Sequence, residues 1–162
     1  MPETLIIGYG NPLRGDDAAG YRAACDLERL FHDDPEIEVV ASQQLTPEMA
    51  EDIARSQFIL FLDAALGDRP GAIRRMEITP EPGPGGFTHH LTPSSLLSAA
   101  AQLYGDAPAA ECITLAGWSF ELGDKLSPGA SRRLPELVRL ARGIVQSHRR
   151  TAASNLVHAG RP

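Results

Sequence analysis

The stretch TLIIGYGNPLRGDDAAG, from Thr4 to Gly20, decides how the rest of the chain is read. Thr4 to Ile7 are β-branched or apolar without helical spacing, which predicts a short buried strand at the start of the fold. A turn follows at once. Gly8, Gly10, Asn11 and Pro12 permit an abrupt exit from a sheet and a crossing of its carboxyl end. The turn then presents Arg14, Asp16 and Asp17. Ligands of open α/β sheets bind outside the carboxyl ends of the strands, so two acids after the first strand stand where chemistry is usually placed.

Working outward, Ala19, Ala23, Ala24, Leu27, Leu30 and Phe31 form one helical stripe, with Asp16 as the expected N-cap. Asp33, Asp34 and Pro35 end it, and Ile37 to Ala41 read as a second strand. Thr46 is expected to cap a short helix over Pro47–Arg55, with Pro at its first position. Phe58 to Leu62, FILFL, is a run of large apolar residues of strand length, as in a strand covered on both faces, and it stops at Asp63. Ala72 to Thr79 is more polar and reads as an edge strand. Pro80 to Gly86, PEPGPGG, predicts a mobile surface loop, with His89 and His90 just beyond it. Thr92 and Pro93 open a helix that Gly105 closes, Cys112 to Trp118 predicts the last strand, and Leu134 to Val145 carries a final helical stripe. This order, βαβαββαβα, predicts a three-layer α/β sandwich around a mostly parallel twisted sheet of about five strands. Residues 1–148 are expected to form the single domain, and 149–162 a polar, disordered tail.

Composition narrows the function. The chain has 162 residues, 43% hydrophobic and 22% charged, enough for one core and close to the soluble average. A net charge of -6 argues against a nucleic-acid partner, because phosphate binding relies on clustered Lys and Arg. The arginines between Arg132 and Arg150 read as a solvated helix face. No run is long enough to span a membrane and no secretory leader is evident, so the expected location is cytoplasmic. Cys25 and Cys112 stand alone in apolar surroundings and are expected to be buried free thiols.

Asp16, Asp17, Asp63 and His89 or His90 are the chemically informative set. Two carboxylates and an imidazole from separate loops would suit a borderline divalent metal such as zinc or nickel, leaving positions open for water or substrate. The plain reading of the same residues is two helix caps, a turn cap and exposed histidines. Other chemistries fit less well. Leu13 stands where a dinucleotide fingerprint needs its third glycine. Ser119 lies in GWSFE rather than GxSxG, and Cys25 falls inside the first helix, which disfavours a serine or cysteine triad.

GYGNPLRGDDAAG, FLDAALG, HHLTPSSLL and LAGWSFELGDKLSP together resemble the hydrogenase maturation protease family, over Thr4 to about Val145. The resemblance implies an α/β sandwich and an aspartic-type, metal-dependent endopeptidase. Its partner would be a nickel-iron hydrogenase large-subunit precursor, whose C-terminal extension it removes after nickel insertion. It also implies metal contacts at Asp17, Asp63 and His89, since the family histidine stands two residues before a leucine; His90 stays open as the alternative. Asp17 occupies a position where many members carry Glu. The nickel would be supplied by the substrate, and another divalent metal could occupy the isolated protein. Asp16 would support the ligands or cap the helix, and a monomer would suffice. The competing readings are a non-catalytic hydrogenase assembly module and a peptidyl-tRNA hydrolase-like esterase.

Overall fold

The alternation of apolar side chains along the first strand is what builds the molecule in layers. In strand β1 (Thr4–Tyr9), Ile6 joins one buried cluster while Leu5 and Ile7 join the other. Successive side chains of a strand point to opposite faces, so a strand apolar at every position must be covered on both sides. The computed structural model describes residues 2–82 and 90–160. After β1 come a 3-10 turn (Gly15–Ala18), α1 (Ala19–Leu30), β2 (Ile37–Ser42), α2 (Met49–Arg55), β3 (Phe58–Ala65), β4 (Ile73–Ile78), α3 (Pro93–Tyr104), β5 (Ala109–Ala116) and α4 (Pro128–Ala159).

The five strands lie in the order β2-β1-β3-β5-β4. The first four are parallel, and β4 runs antiparallel on the edge against β5. Helices α1 and α4 cover the face carrying Ile6, Leu60, Leu62, Ile113 and Leu115. Helices α2 and α3 cover the face carrying Leu5, Ile7, Ile59, Phe61 and Cys112. The expected three-layer sandwich with a mostly parallel sheet is what the chain forms.

Several boundaries differ from the sequence reading. Strand β3 runs on through Asp63 to Ala65, so Asp63 belongs to the strand and pairs in register with Thr114 of β5. Strand β5 starts at Ala109 and ends before Trp118. Helix α2 starts at Met49, because Pro47 and Glu48 form a turn in which the Thr46 carbonyl accepts from Met49 N. Helix α3 follows its signals closely: Thr92 and Ser95 make a reciprocal capping box, and Gly105 at φ 88° closes the helix.

Helix α4 is the largest difference. It starts at Pro128, with Ser127 accepting from Ala130 N, passes through Pro135, and continues to Ala159. Residues 149–159, expected to be a disordered tail, are helical. Arg149 starts that stretch and is tied to Asp34 (2.7 Å) and Glu36 at the β2 entrance, which anchors a segment in which Arg150, Ala152, Ala153, Leu156 and Ala159 favour the helix. Among the described residues, no helix is long and apolar enough to cross a membrane.

Candidate active site

Close packing at the carboxyl end of the sheet puts the acids where they are. Gly10, at φ 147°, leaves no room for a side chain: a Cβ there would lie 1.9 Å from the Asp17 carbonyl oxygen. Gly20 is equally confined, since its Cβ would fall 2.2 Å from the Leu62 carbonyl oxygen. The acid-bearing turn is thereby pressed directly onto the ends of β1 and β3.

Asp17 and Asp63 open into the same cavity, of about 550 Å³, together with Tyr9 and His90. Asp17 is half-buried, and its Oδ2 accepts a 2.8 Å hydrogen bond from Asn11 N. Asn11 Oδ1 in turn accepts from Leu13 N, which shapes the turn. Asp63 is held at both oxygens: Oδ2 accepts from the Tyr9 hydroxyl at 2.7 Å, and Oδ1 from Ala64 N at 2.7 Å. Burial pushes the Asp63 carboxyl up from 3.8 to about 6, against those two hydrogen bonds, and the neighbouring Asp17 charge adds to the rise. Burial, and then the Asp63 charge, push the Tyr9 phenol far above its ordinary value, so it remains a donor.

Asp16 is neither the expected N-cap nor a wall of this cavity. It is fully buried and accepts four hydrogen bonds from the segment after β5. Trp118 N (2.7 Å), Ser119 N (3.1 Å) and the Ser127 hydroxyl (2.7 Å) donate to Oδ2, and Ser127 N (2.7 Å) donates to Oδ1. Burial works against its charge, but the Ser127 N–H and hydroxyl, followed by the Trp118 and Ser119 N–H groups, hold the carboxyl below its ordinary range. Asp16 therefore clasps the 117–127 segment, whose Phe120 lines the cavity. The adjacent acids have different neighbours: Asp16 faces protein donors and Asp17 faces the cavity.

Of the two candidate histidines, His90 is exposed and lines the cavity, whereas His89 lies outside the described residues, as do positions 83–86 of the predicted loop. Among the described residues, no three His, Cys, Asp or Glu side chains are grouped so as to hold a metal ion. Neither thiol belongs to the cavity wall. Cys25 is half-buried in α1 rather than fully buried as expected, and burial pushes the Cys112 thiol up to about 12, with Asp63 adding to it.

Two groups escaped sequence reading. Tyr9 reads as one more apolar residue in the Leu5, Ile7, Tyr9 alternation; only the register that lays β1 beside β3 shows its hydroxyl reaching Asp63. Gln43 and Gln44 also line the cavity, and their position just past β2 was a usable signal, since β2 is another parallel strand ending on this edge. Chemically, the site offers two carboxylates, an imidazole, a phenol and amides. None of the described lining residues is Lys or Arg. Such a lining suits a cation and a polar carbonyl, and the Asp63 carboxyl, pushed up to about 6, can accept or give a proton when no metal is bound.

No protein-family model and no curated protein matches the chain. Solved structures do. The NiFe hydrogenase maturation protease HycI from Thermococcus kodakarensis KOD1 superposes with a TM-score of 0.71 at 24% identity, over 89% of this chain and 92% of that one. The hydrogenase maturating endopeptidase HybD from E. coli gives 0.73 at 21% identity, over 91% and 94%. The hydrogenase 2 maturation peptidase from Thaumarchaeota archaeon SCGC_AB-539-E09 gives 0.65 at 19% identity, over 89% and 98%. The architecture that brings Asp17 and Asp63 to one edge of the sheet is the fold of the hydrogenase maturation proteases.

Proposed function

We propose that the chain is an endopeptidase that removes the C-terminal extension of a nickel-iron hydrogenase large-subunit precursor after nickel insertion. The observation that carries this reading is the convergence of Asp17 and Asp63, with His90, on one cavity lacking described cationic side chains, in a fold shared with hydrogenase maturation endopeptidases. In this reading nickel belongs to the substrate. Asp17, Asp63 and His89, with His90 as the alternative, contact it through two oxygen donors and one nitrogen donor, a set that suits a borderline divalent ion. A precursor without nickel would leave the two acids facing each other uncompensated, so the same residues would favour the loaded precursor.

The chain's own residues supply the rest of the chemistry. Asp63 lines the cavity, and a carboxylate there can take a proton from an attacking water and return it to the leaving amine. Asn11 N holds the Asp17 carboxylate at the cavity wall. The proposed protein works as a cytoplasmic monomer with no nucleic-acid partner, and it can take up another divalent metal when isolated.

The test is to incubate the purified protein with nickel-loaded and nickel-free precursor and to follow release of the C-terminal peptide by mass spectrometry. Cleavage of the loaded form alone is the expected result. Stable binding of the cognate precursor without cleavage of either form would overturn the protease reading in favour of a non-catalytic assembly module.

A further inference from the structure

We infer that Tyr9 is a positioning residue: its hydroxyl fixes the orientation in which Asp63 is presented to the substrate, a role that rests on the proposed proteolytic reading. The geometry is specific. Tyr9 is the last residue of β1, and its ring packs against the cluster formed by Leu5, Ile7, Phe61 and their neighbours, so the phenol is held along its length. The hydroxyl ends 2.7 Å from Asp63 Oδ2. The other oxygen is bound by Ala64 N, the next residue of the same strand.

The two contacts are not equivalent. A bond from the neighbouring backbone N–H moves with β3 itself and leaves the carboxylate able to pivot about it. The Tyr9 bond comes from a different strand and closes that freedom, tying the ends of β1 and β3 together through the acid. Each carboxylate oxygen has two acceptor directions, so both oxygens keep one for a ligand in the cavity. Partners of this kind orient a ligating carboxylate, and losing one typically lowers metal affinity or activity by about 10- to 100-fold. A residue chosen only to fill apolar space would need no hydroxyl here.

Two substitutions separate orientation from packing. Tyr9→Phe keeps the ring and removes the oxygen, whereas Tyr9→Leu removes both. If the hydroxyl positions Asp63, both variants lose processing, with kcat/KM for the loaded precursor down about 10- to 100-fold. If Tyr9 serves packing alone, Tyr9→Phe processes at the wild-type rate and only Tyr9→Leu is impaired, which would overturn the inference.

A second measurement needs neither a variant nor a substrate. In the wild-type protein the Tyr9 hydroxyl proton should be visible by NMR and exchange slowly with water, with a through-space contact to the labelled carboxyl of Asp63. Exchange at the rate of a free tyrosine would overturn the inference even if the precursor is cleaved. A protected proton in a protein that cleaves no precursor would leave Tyr9 as the orienting partner of Asp63 and overturn only the protease reading.

Discussion

Asp63→Asn should abolish processing and yet make the protein more stable at neutral and alkaline pH. The carboxyl titrates at about 6 in the folded chain against 3.8 in the unfolded one, chiefly because it is buried. A group whose folded pKa is raised contributes stability that is fully present below the unfolded value and is lost as pH rises through the folded one. Here that window runs from about 4 to about 6. The pKa difference of roughly two corresponds to about 3 kcal/mol of destabilisation from the ionised carboxyl once pH is well above 6. Asparagine removes that charge. It keeps only one oxygen, however, so either the Tyr9 hydroxyl or Ala64 N loses its acceptor, at a cost of about 1 kcal/mol. The net gain near pH 8 is about 2 kcal/mol, or roughly 4–8 °C in Tm for a chain of this size. Near pH 4 most of the charge penalty has gone from the folded wild type, and the two proteins should melt within a degree or two of one another. The assay is a pair of thermal or urea unfolding series from about pH 4 to 8. Every other titrating group is common to both proteins, so their difference isolates Asp63. Parallel curves, with a gap that does not open between about pH 4 and 6, would refute the buried-charge account of this residue.

Asp16→Asn should do the reverse. It replaces a carboxylate that satisfies three N–H groups and a hydroxyl with a group carrying donors of its own, so a loss of about 3 kcal/mol or more is expected in denaturant unfolding. Its folded pKa is lowered, so the stability it contributes is present above the ordinary carboxylate range and is lost as pH falls through the folded value; the wild-type advantage should shrink only in acid. Gly20→Ala forces a methyl to within 2.2 Å of the Leu62 carbonyl oxygen. A loss of about 3 kcal/mol, read from urea midpoints, is expected from the displaced α1. Cys25→Ala should leave precursor processing at the wild-type rate in a mass-spectrometric time course, because the thiol stands in α1 and does not line the cavity.

How far the sequence could be read depended on the range of the interactions involved. FILFL declares a doubly covered strand because every position along it is apolar, and α3 declares its ends through Thr92, Ser95 and Gly105, all local signals. The N-cap reading of Asp16 failed for the opposite reason. A cap is a local explanation, but the groups that occupy Asp16 lie 102 to 111 residues away along the chain. The end of α4 failed similarly: residues 149–159 have little apolar periodicity, and the anchor at their start comes from Asp34 and Glu36, far away in sequence. Tyr9 and Asp63 are 54 residues apart, so no window of local sequence could pair them. The parallel pairing of β1 with β3 is required before that contact exists.

The different roles of Asp16 and Asp17 follow from backbone geometry. Both stand in one 3-10 turn, one residue apart, where side chains point in different directions around the axis. One direction leads into the 117–127 segment and the other into the cavity. A carboxylate surrounded by N–H donors is stabilised and chemically quiet, whereas one that lines a cavity is available to a ligand. The turn thus spends one acid on closing the site's wall and leaves the other open to it. Gly10 and Gly20, packed against Asp17 and Leu62 backbone atoms, press the turn onto the sheet in this phase. The close glycine packing therefore bears on the site as well as on the fold, because it holds the turn in which Asp17, and not Asp16, opens into the cavity.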